Sequence, residues 1–243
     1  MAGPKRMKSA SRFLAELGGI ETGRLLGSGA HGEVREVLRP SFTIHSFEKT
    51  GGKIVHREAG KLGLVEKRPW THQEEREAVS LLGRPLLHTR LPEWTKRFKA
   101  LKKAGANVPE IVMPDYKRNS IFMEFVSAER LVDCNNPEKL KQAAEREPAV
   151  IEKLARQLAI AHKAGFSHIT DRPLSSLFLV HDGKEYKPVF FDVRNLDRPL
   201  FWKTYHQARD VEWIVRNTLS GSMGERFLAE YAKHNPKVAA MVA

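Results

Sequence analysis

The stretch LLGSGAHGEV, Leu25 to Val34, spaces three glycines as G-x-G-x-x-G. An apolar pair precedes it, and EVREV, a strand-like run, follows the last glycine. A dinucleotide-binding fold requires a helix directly after such glycines, because the pyrophosphate rests on the helix N-terminus. Strand–turn–strand is a different device: the turn lies over a triphosphate and its backbone N–H groups face the oxygens. Glycine suits that position because a Cβ would hold the backbone away from phosphate. The same residues could also close an ordinary glycine-rich hairpin, so the parts that follow them in the chain decide. Gly27, Ser28, Gly29, Ala30, His31, Gly32 and Val34 are the candidate phosphate-covering residues.

Outward from this turn, residues 21–67 read as β-rich. SFTIHSF and KIVHRE alternate, EKTGG between them signals a hairpin, and KLGLVEK reads as a further strand. A triphosphate site needs a strand-borne cation for the α/β oxygens. Lys67 ends that strand and fits, with Lys61 as the alternative; the 41–60 hairpin is then expected to be an insertion. The lysine in turn needs a carboxylate from a helix. Glu93 opens a helix over 92–104, begun by Pro92 and stopped by Gly105, with Trp94, Phe98 and Leu101 as one apolar stripe. Glu77 is the second candidate, on a helix from the capping box Thr71–Glu74 to about Leu82. Residues 9–17 could form a further short helix. SIFMEFV, 120–126, is a short apolar strand. An adenine ring there would take hydrogen bonds from the backbone near Glu124 and Val126, with Met123 limiting the pocket.

The second half changes character. Val150, Ile151, Leu154, Leu158 and Ala161 recur at helical spacing over 149–163, between Pro148 and Gly165. Two strand-like runs, LFLV and PVFFDV, are joined by the turn HDGKEYK, and the chain from Trp202 reads as helical. A phosphoryl-transfer site needs a carboxylate beside the acceptor hydroxyl and oxygen ligands for Mg²⁺. Asp171 suits the first role. Asp192 suits the second: it follows a buried strand, where a lone carboxylate would be costly. His168 is more often a packing histidine than a catalytic one.

The expected fold class is α+β, with a β-rich N-lobe and an α-rich C-lobe. Residues 1–20 would be a basic extension, 21–123 the N-lobe, 124–127 a hinge and 128–243 the C-lobe. The chain's 243 residues, 41% of them hydrophobic, are enough for such a core. Lys and Arg outnumber Asp and Glu by 41 to 29, a net charge of +12, which favours an anionic partner. A single cysteine, Cys134, excludes an internal disulfide framework and a cysteine-rich zinc site. No run of about 18 apolar residues occurs and the start lacks a secretion-signal core, so a cytoplasmic location with access to a membrane surface is expected.

Taken in order, these parts resemble the compact atypical kinases: the lipopolysaccharide sugar kinases, the RIO kinases and the small kinase of the KEOPS complex. GSGAHGEV resembles their glycine-rich loop, and Glu93-Trp94 with AGANVPEIV the helix and turn of the lipopolysaccharide kinases. MEFVSAERLVD resembles the hinge, and HITDRPLSSLFLVHDG the catalytic loop. FFDVRNL stands where a D-F-G triplet would, and ARDVEWIV, with Asp210, resembles the helix after it. The resemblance runs from about residue 25 to 231. It implies a two-lobe protein-kinase-like fold, ATP with Mg²⁺ or Mn²⁺, Lys67 paired with Glu93, Asp171 as base and Asp192 with Ser176 at the metal.

Three departures stand out. His168 to Asp171 is one residue longer than the family spacing, which leaves Thr170 as an alternative for the base position. Ser176 stands where the family carries Asn or His. The Glu93-to-Gly105 interval is also one residue longer than in the family. The expectation is an ATP-dependent kinase acting on a hydroxyl of a protein Ser/Thr or of a lipopolysaccharide core sugar. Its rivals are a pseudokinase scaffold, from Ser176 and HITD, and a basic nucleic-acid- or membrane-surface module, from KRFKALKK and the net charge.

Overall fold

The computed structural model describes residues 21–29, 32–50, 53–69, 91–109, 112–115, 120–124, 126, 128–168, 172–193, 196–199, 201–219 and 221–242. The class is mixed α+β. The chain divides into two compact units, residues 1–91 with 110–125 and residues 92–109 with 126–243. The last of the three crossings between them, after residue 125, falls inside the 124–127 stretch read as a hinge. The helices expected over 9–17 and 71–82, with Glu77, lie outside the described residues.

Among the described residues the first unit is one antiparallel sheet. β1 (Glu21–Gly29), β2 (Gly32–Thr50), β3 (Lys53–Pro69), β4 (Val112–Asp115) and β5 (Ser120–Glu124) run in the order β1-β2-β3-β5-β4. KIVHRE and KLGLVEK, read as two strands, are one: β3 pairs with β2 from Thr50–Lys53 to Gly32–Pro69. Residues 41–60 are therefore the far end of the β2–β3 ladder. The ladder stays continuous because irregularities between Val37 and Phe42 and between Thr43 and His45 absorb the mismatch. Ser120, Ile121, Phe122 and Met123 of β5 are all buried, as befits a strand covered on both faces.

The second unit opens with α1 (Leu91–Lys103), which the sequence reading had grouped with the sheet. Trp94, Phe98 and Leu101 are buried in a row at i, i+4 and i+7. Each such side chain contributes about 1.5–3 kcal/mol by leaving water. Gly105, at φ +87°, ends the helix in a conformation that side chains resist. Asn107 follows and ties three elements: its N–H donates to Gln157 Oε1 (2.7 Å), its Nδ2 to Pro188 O (3.0 Å), and its carbonyl accepts from Phe190 N (2.9 Å).

A 3₁₀ turn (Ala128–Arg130) leads to β6 (Leu131–Asp133) and α2 (Pro137–Arg146). Asn136 caps α2 by accepting from Lys139 N at 3.0 Å, with Pro137 at the first helical position. α3 (Val150–Lys163) buries Val150, Ile151, Leu154 and Leu158 as the spacing predicts. Next come β7 (Ser167–His168), β8 (Leu177–His181), β9 (Tyr186–Phe190) and β10 (Leu196–Asp197). They make a β6-β8-β9 sheet and a β10-β7 pair. Asp182 shapes the β8–β9 turn: its Oδ1 accepts from Lys184 N and Glu185 N, and its Oδ2 meets Lys187 Nζ at 2.7 Å. These bonds, with Lys187 foremost, hold the Asp182 carboxyl well below the usual range.

α4 (Lys203–Asn217), α5 (Ser222–His234) and α6 (Pro236–Ala239) complete the unit. α5 packs on α3, and Arg226 clamps Glu152 from Nε (2.9 Å) and Nη2 (2.7 Å) while reaching Pro148 O. Cys134 is fully buried, and burial pushes its thiol up in pKa.

Candidate functional site

In the first unit the glycine stretch is the tip of a β-hairpin. Gly27 pairs with Val34, Ser28 with Glu33 and Gly29 with Gly32; Ala30 and His31 lie outside the described residues. The register carries across the sheet: Val34 pairs with Lys67, and Lys67 with Ile121. Directly opposed residues share a face, so Val34, Lys67 and Ile121 stand in one row beside the hairpin tip. Met123, two residues along β5 and buried, lies on the same face as Ile121; Glu124 is half-buried. The sequence thus brings the glycine turn, Val34, Lys67 and Met123 to one end of one sheet through backbone pairing alone. Val126, half-buried, begins the second unit's main segment.

Glu93, Ser176 and Asp192 belong to the second unit. Glu93 is on the first turn of α1, where an acid favours the helix dipole, and it meets Lys96 Nζ at 2.7 Å. Asp192 lies two residues past the end of β9. PVFFDV stops being a strand at Phe190 because the next two amides turn aside: Phe191 N (3.1 Å) and Asp192 N (3.4 Å) both approach Ser176 O. The two residues assigned to the metal are therefore neighbours in the backbone. Arg97 of α1 braces the following segment, donating from Nη1 to Val193 O (3.0 Å) and from Nη2 to Asp197 Oδ1 (3.3 Å). Burial lowers the Arg97 pKa, and the charges of Asp197, Glu93 and Asp192 oppose that. Asp171 and Thr170 lie outside the described residues.

A chain of buried polar groups holds β7. Asn235 Nδ2 donates to Tyr231 Oη (3.1 Å), and Tyr231 Oη meets His162 Nδ1 (2.6 Å). His162 Nε2 meets Asp210 Oδ2 (3.2 Å), which also accepts the backbone N–H of His168 (2.8 Å). His168 Nε2 then reaches Ser176 Oγ at 3.0 Å. His168 Nδ1 is 3.4 Å from Asp210 Oδ2, close enough for charge attraction but poorly aligned for a hydrogen bond. Burial pushes the His162 pKa down, which leaves its ring neutral with Nε2 as donor and the tyrosine O–H donating to Nδ1. Burial would raise Asp210, but its bonds from His162 and His168 win and hold it below the usual carboxylate range. Burial also pushes the Tyr231 hydroxyl up.

Ser176 is fully buried and its hydroxyl is engaged by His168. Asp192 is half-buried. Among the described residues no group of three or more His, Cys, Asp or Glu is arranged to hold a metal ion. One carboxylate plus the phosphate oxygens of a nucleotide is, however, a donor set that Mg²⁺ takes, and Asp192 fits it; the Ser176 hydroxyl, turned inward, does not.

A half-open cleft of about 290 Å³ runs along α4, lined by His168 and Pro173 and, on the helix, by Arg209, Asp210, Glu212, Trp213, Arg216 and Asn217, so both signs of charge face it. Sequence reasoning gave Asp210 only a place in a motif and missed Arg97, His162 and Tyr231. A charged residue at a helix position that must be buried, as Asp210 is between Ala208 and Val211, was the one available signal. Among the described residues no helix is long and apolar enough to cross a membrane. No protein-family model matches the chain, and no curated protein matches its sequence.

Proposed function

We propose that the chain is an ATP-dependent phosphotransferase of protein-kinase-like, two-lobe design, moving the γ-phosphoryl group of ATP to a hydroxyl. The observation that carries this is the register of the first unit. A glycine-rich turn joins the first two strands, and a half-buried lysine stands on the third in the same row. Kinases use that layout to cover and neutralise ATP phosphates.

In this proposal Gly27–Val34 cover the phosphates with backbone N–H groups, and Lys67 neutralises α/β oxygens. Main-chain groups near Glu124 and Val126 bind the adenine edge, and Met123 limits the pocket. Asp192 would hold Mg²⁺ or Mn²⁺, which when bound neutralises charge on the phosphate oxygens. Asp171 orients and deprotonates the acceptor hydroxyl, on a protein Ser/Thr or a lipopolysaccharide core sugar. Asp210 acts at one remove: its bond to the His168 amide fixes the strand from which Asp171 follows. The transition state of phosphoryl transfer is loose, so positioning and charge neutralisation supply most of the acceleration.

The test is transfer from γ-labelled ATP, wild type against Lys67→Ala and Asp192→Asn. Loss of transfer in both, with unchanged circular dichroism, is expected; full transfer in either rejects that residue's role. A second reading draws on the inward-facing Ser176 hydroxyl, which removes one metal donor: a nucleotide-binding pseudokinase. ATP binding that is insensitive to Mg²⁺, with no transfer, would select it.

A further inference from the structure

The outer face of α4 carries a pattern that packing does not explain. Phe201 and Trp202, immediately before the helix, are 79% and 78% exposed, and Tyr205 is 50% exposed. Counting from Trp202, Tyr205, Arg209, Trp213 and Arg216 follow at i+3, i+7, i+11 and i+14. Trp202 stands before the first helical turn; within the helix, at about 100° per residue, Tyr205, Arg209, Trp213 and Arg216 share one stripe, roughly 16 Å long. The opposite face is the buried one: Gln207, Ala208, Asp210, Val211 and Ile214.

Trp202 is also the only non-glycine residue with positive φ (54°) among the described residues. A bulky side chain in the left-handed region is a genuine outlier, held only where the surroundings impose it. Here the imposed conformation projects an indole into solvent, the reverse of what core packing would select.

The segment that carries the first three of these rings is basic. From Arg198 to Arg209 the segment RPLFWKTYHQAR contains Arg198, Lys203 and Arg209 and no acid. Arg198 is stacked on Phe166, 4.4 Å from the ring centroid, so its cation is held near the start of α4. Of the acids beside the stripe, Asp210 is buried and Glu212 is paired with Arg216 at 2.9 Å.

We infer that this face is a membrane-docking surface: Phe201, Trp202, Tyr205 and Trp213 enter the headgroup boundary of an anionic bilayer while Arg209, Arg216 and Lys203 meet lipid phosphates. Trp and Tyr flanked by Lys and Arg is the composition of helices that lie in the membrane interface. The net charge of +12 adds a long-range attraction to such a surface. This docking does not depend on phosphotransfer.

The experiment is flotation of the full chain with vesicles of phosphatidylcholine alone and of phosphatidylcholine with one-third phosphatidylglycerol. Binding to the anionic vesicles only is expected. Phe201→Ser with Trp202→Ser should lower the partition coefficient about tenfold or more, since two aromatic side chains no longer leave water. Arg209→Gln with Arg216→Gln should lower it and flatten its salt dependence. All four positions are at the surface, so circular dichroism should not change. Lipids brominated in the upper acyl chain should quench the wild type's tryptophan emission and fail to quench a Trp202→Phe/Trp213→Phe variant. Equal binding to neutral vesicles, or unchanged binding by both double variants, overturns the inference. So does loss of single-stranded RNA binding in the aromatic variant while its vesicle binding stays intact.

Discussion

The two units organise their candidate residues by different means. In the first, Val34, Lys67 and Ile121 are aligned by strand pairing, so their placement depends on backbone hydrogen bonds that any side chain allows. In the second, β7 is aligned by side chains: Asp210, His162 and Tyr231 hold it from three helices. A ladder tolerates substitution of its members and is disrupted by slippage of register. A buried polar network has no such tolerance, because removing one member strands the others without water.

The contrast can be broken most sharply at the chemistry. Asp192→Asn should lower phosphoryl transfer by about 10³-fold, the loss of several kcal/mol of charge stabilisation, with little change in melting temperature. Lys67→Ala should weaken ATP binding as well, read by titration calorimetry. Next comes Asp210→Ala, which leaves the His162 ring and the His168 amide unpaired. A loss of about 3–5 kcal/mol in unfolding free energy is expected from denaturant titration. Asp210→Asn, which keeps one acceptor oxygen, should lose less. Tyr231→Phe removes only the link between Asn235 and His162 and should cost about 1–2 kcal/mol. A loss confined to the melting of the sheet would contradict this division of labour.

The smallest effect is with pH. The folded His162 pKa lies below its unfolded value, so on acidification the unfolded chain takes up the proton first. Stability from this group is complete above about pH 6.5 and declines as pH falls below it. Asp210, also lowered, adds a second loss as pH drops below about 4. Melting temperatures of wild type and His162→Gln across this range should converge toward acid; parallel curves would reject the assignment.

What was legible in the sequence was local. Pro92, the Trp94–Phe98–Leu101 stripe and Gly105 delimit α1 to within one residue at each end, because start, face and stop are all written in adjacent positions. EKTGG marked the β2–β3 turn. The length of β3 was not legible: Gly60 and Gly63 punctuate it like a break, yet pairing with β2 carries the chain through. The exit of Asp192 from its strand was hidden for a related reason, since it depends on where Ser176 O points. Least visible was the polar network, whose partners are 48 and 69 residues apart and meet only after α3, α4 and α5 have packed. Ser176 illustrates the limit well. Its position in the chain marked it as a metal ligand, whereas His168, eight residues earlier, claims its hydroxyl.

The lone thiol has a practical consequence. Cys134, directly after β6 and beside Leu179 of β8, is fully buried, and burial suppresses its thiolate. Toward a maleimide the folded chain should behave as though cysteine-free. A dye carried by Phe201→Cys would then report from that single location, and slow modification of the native sulfur would serve as a clock for opening of the interior around it.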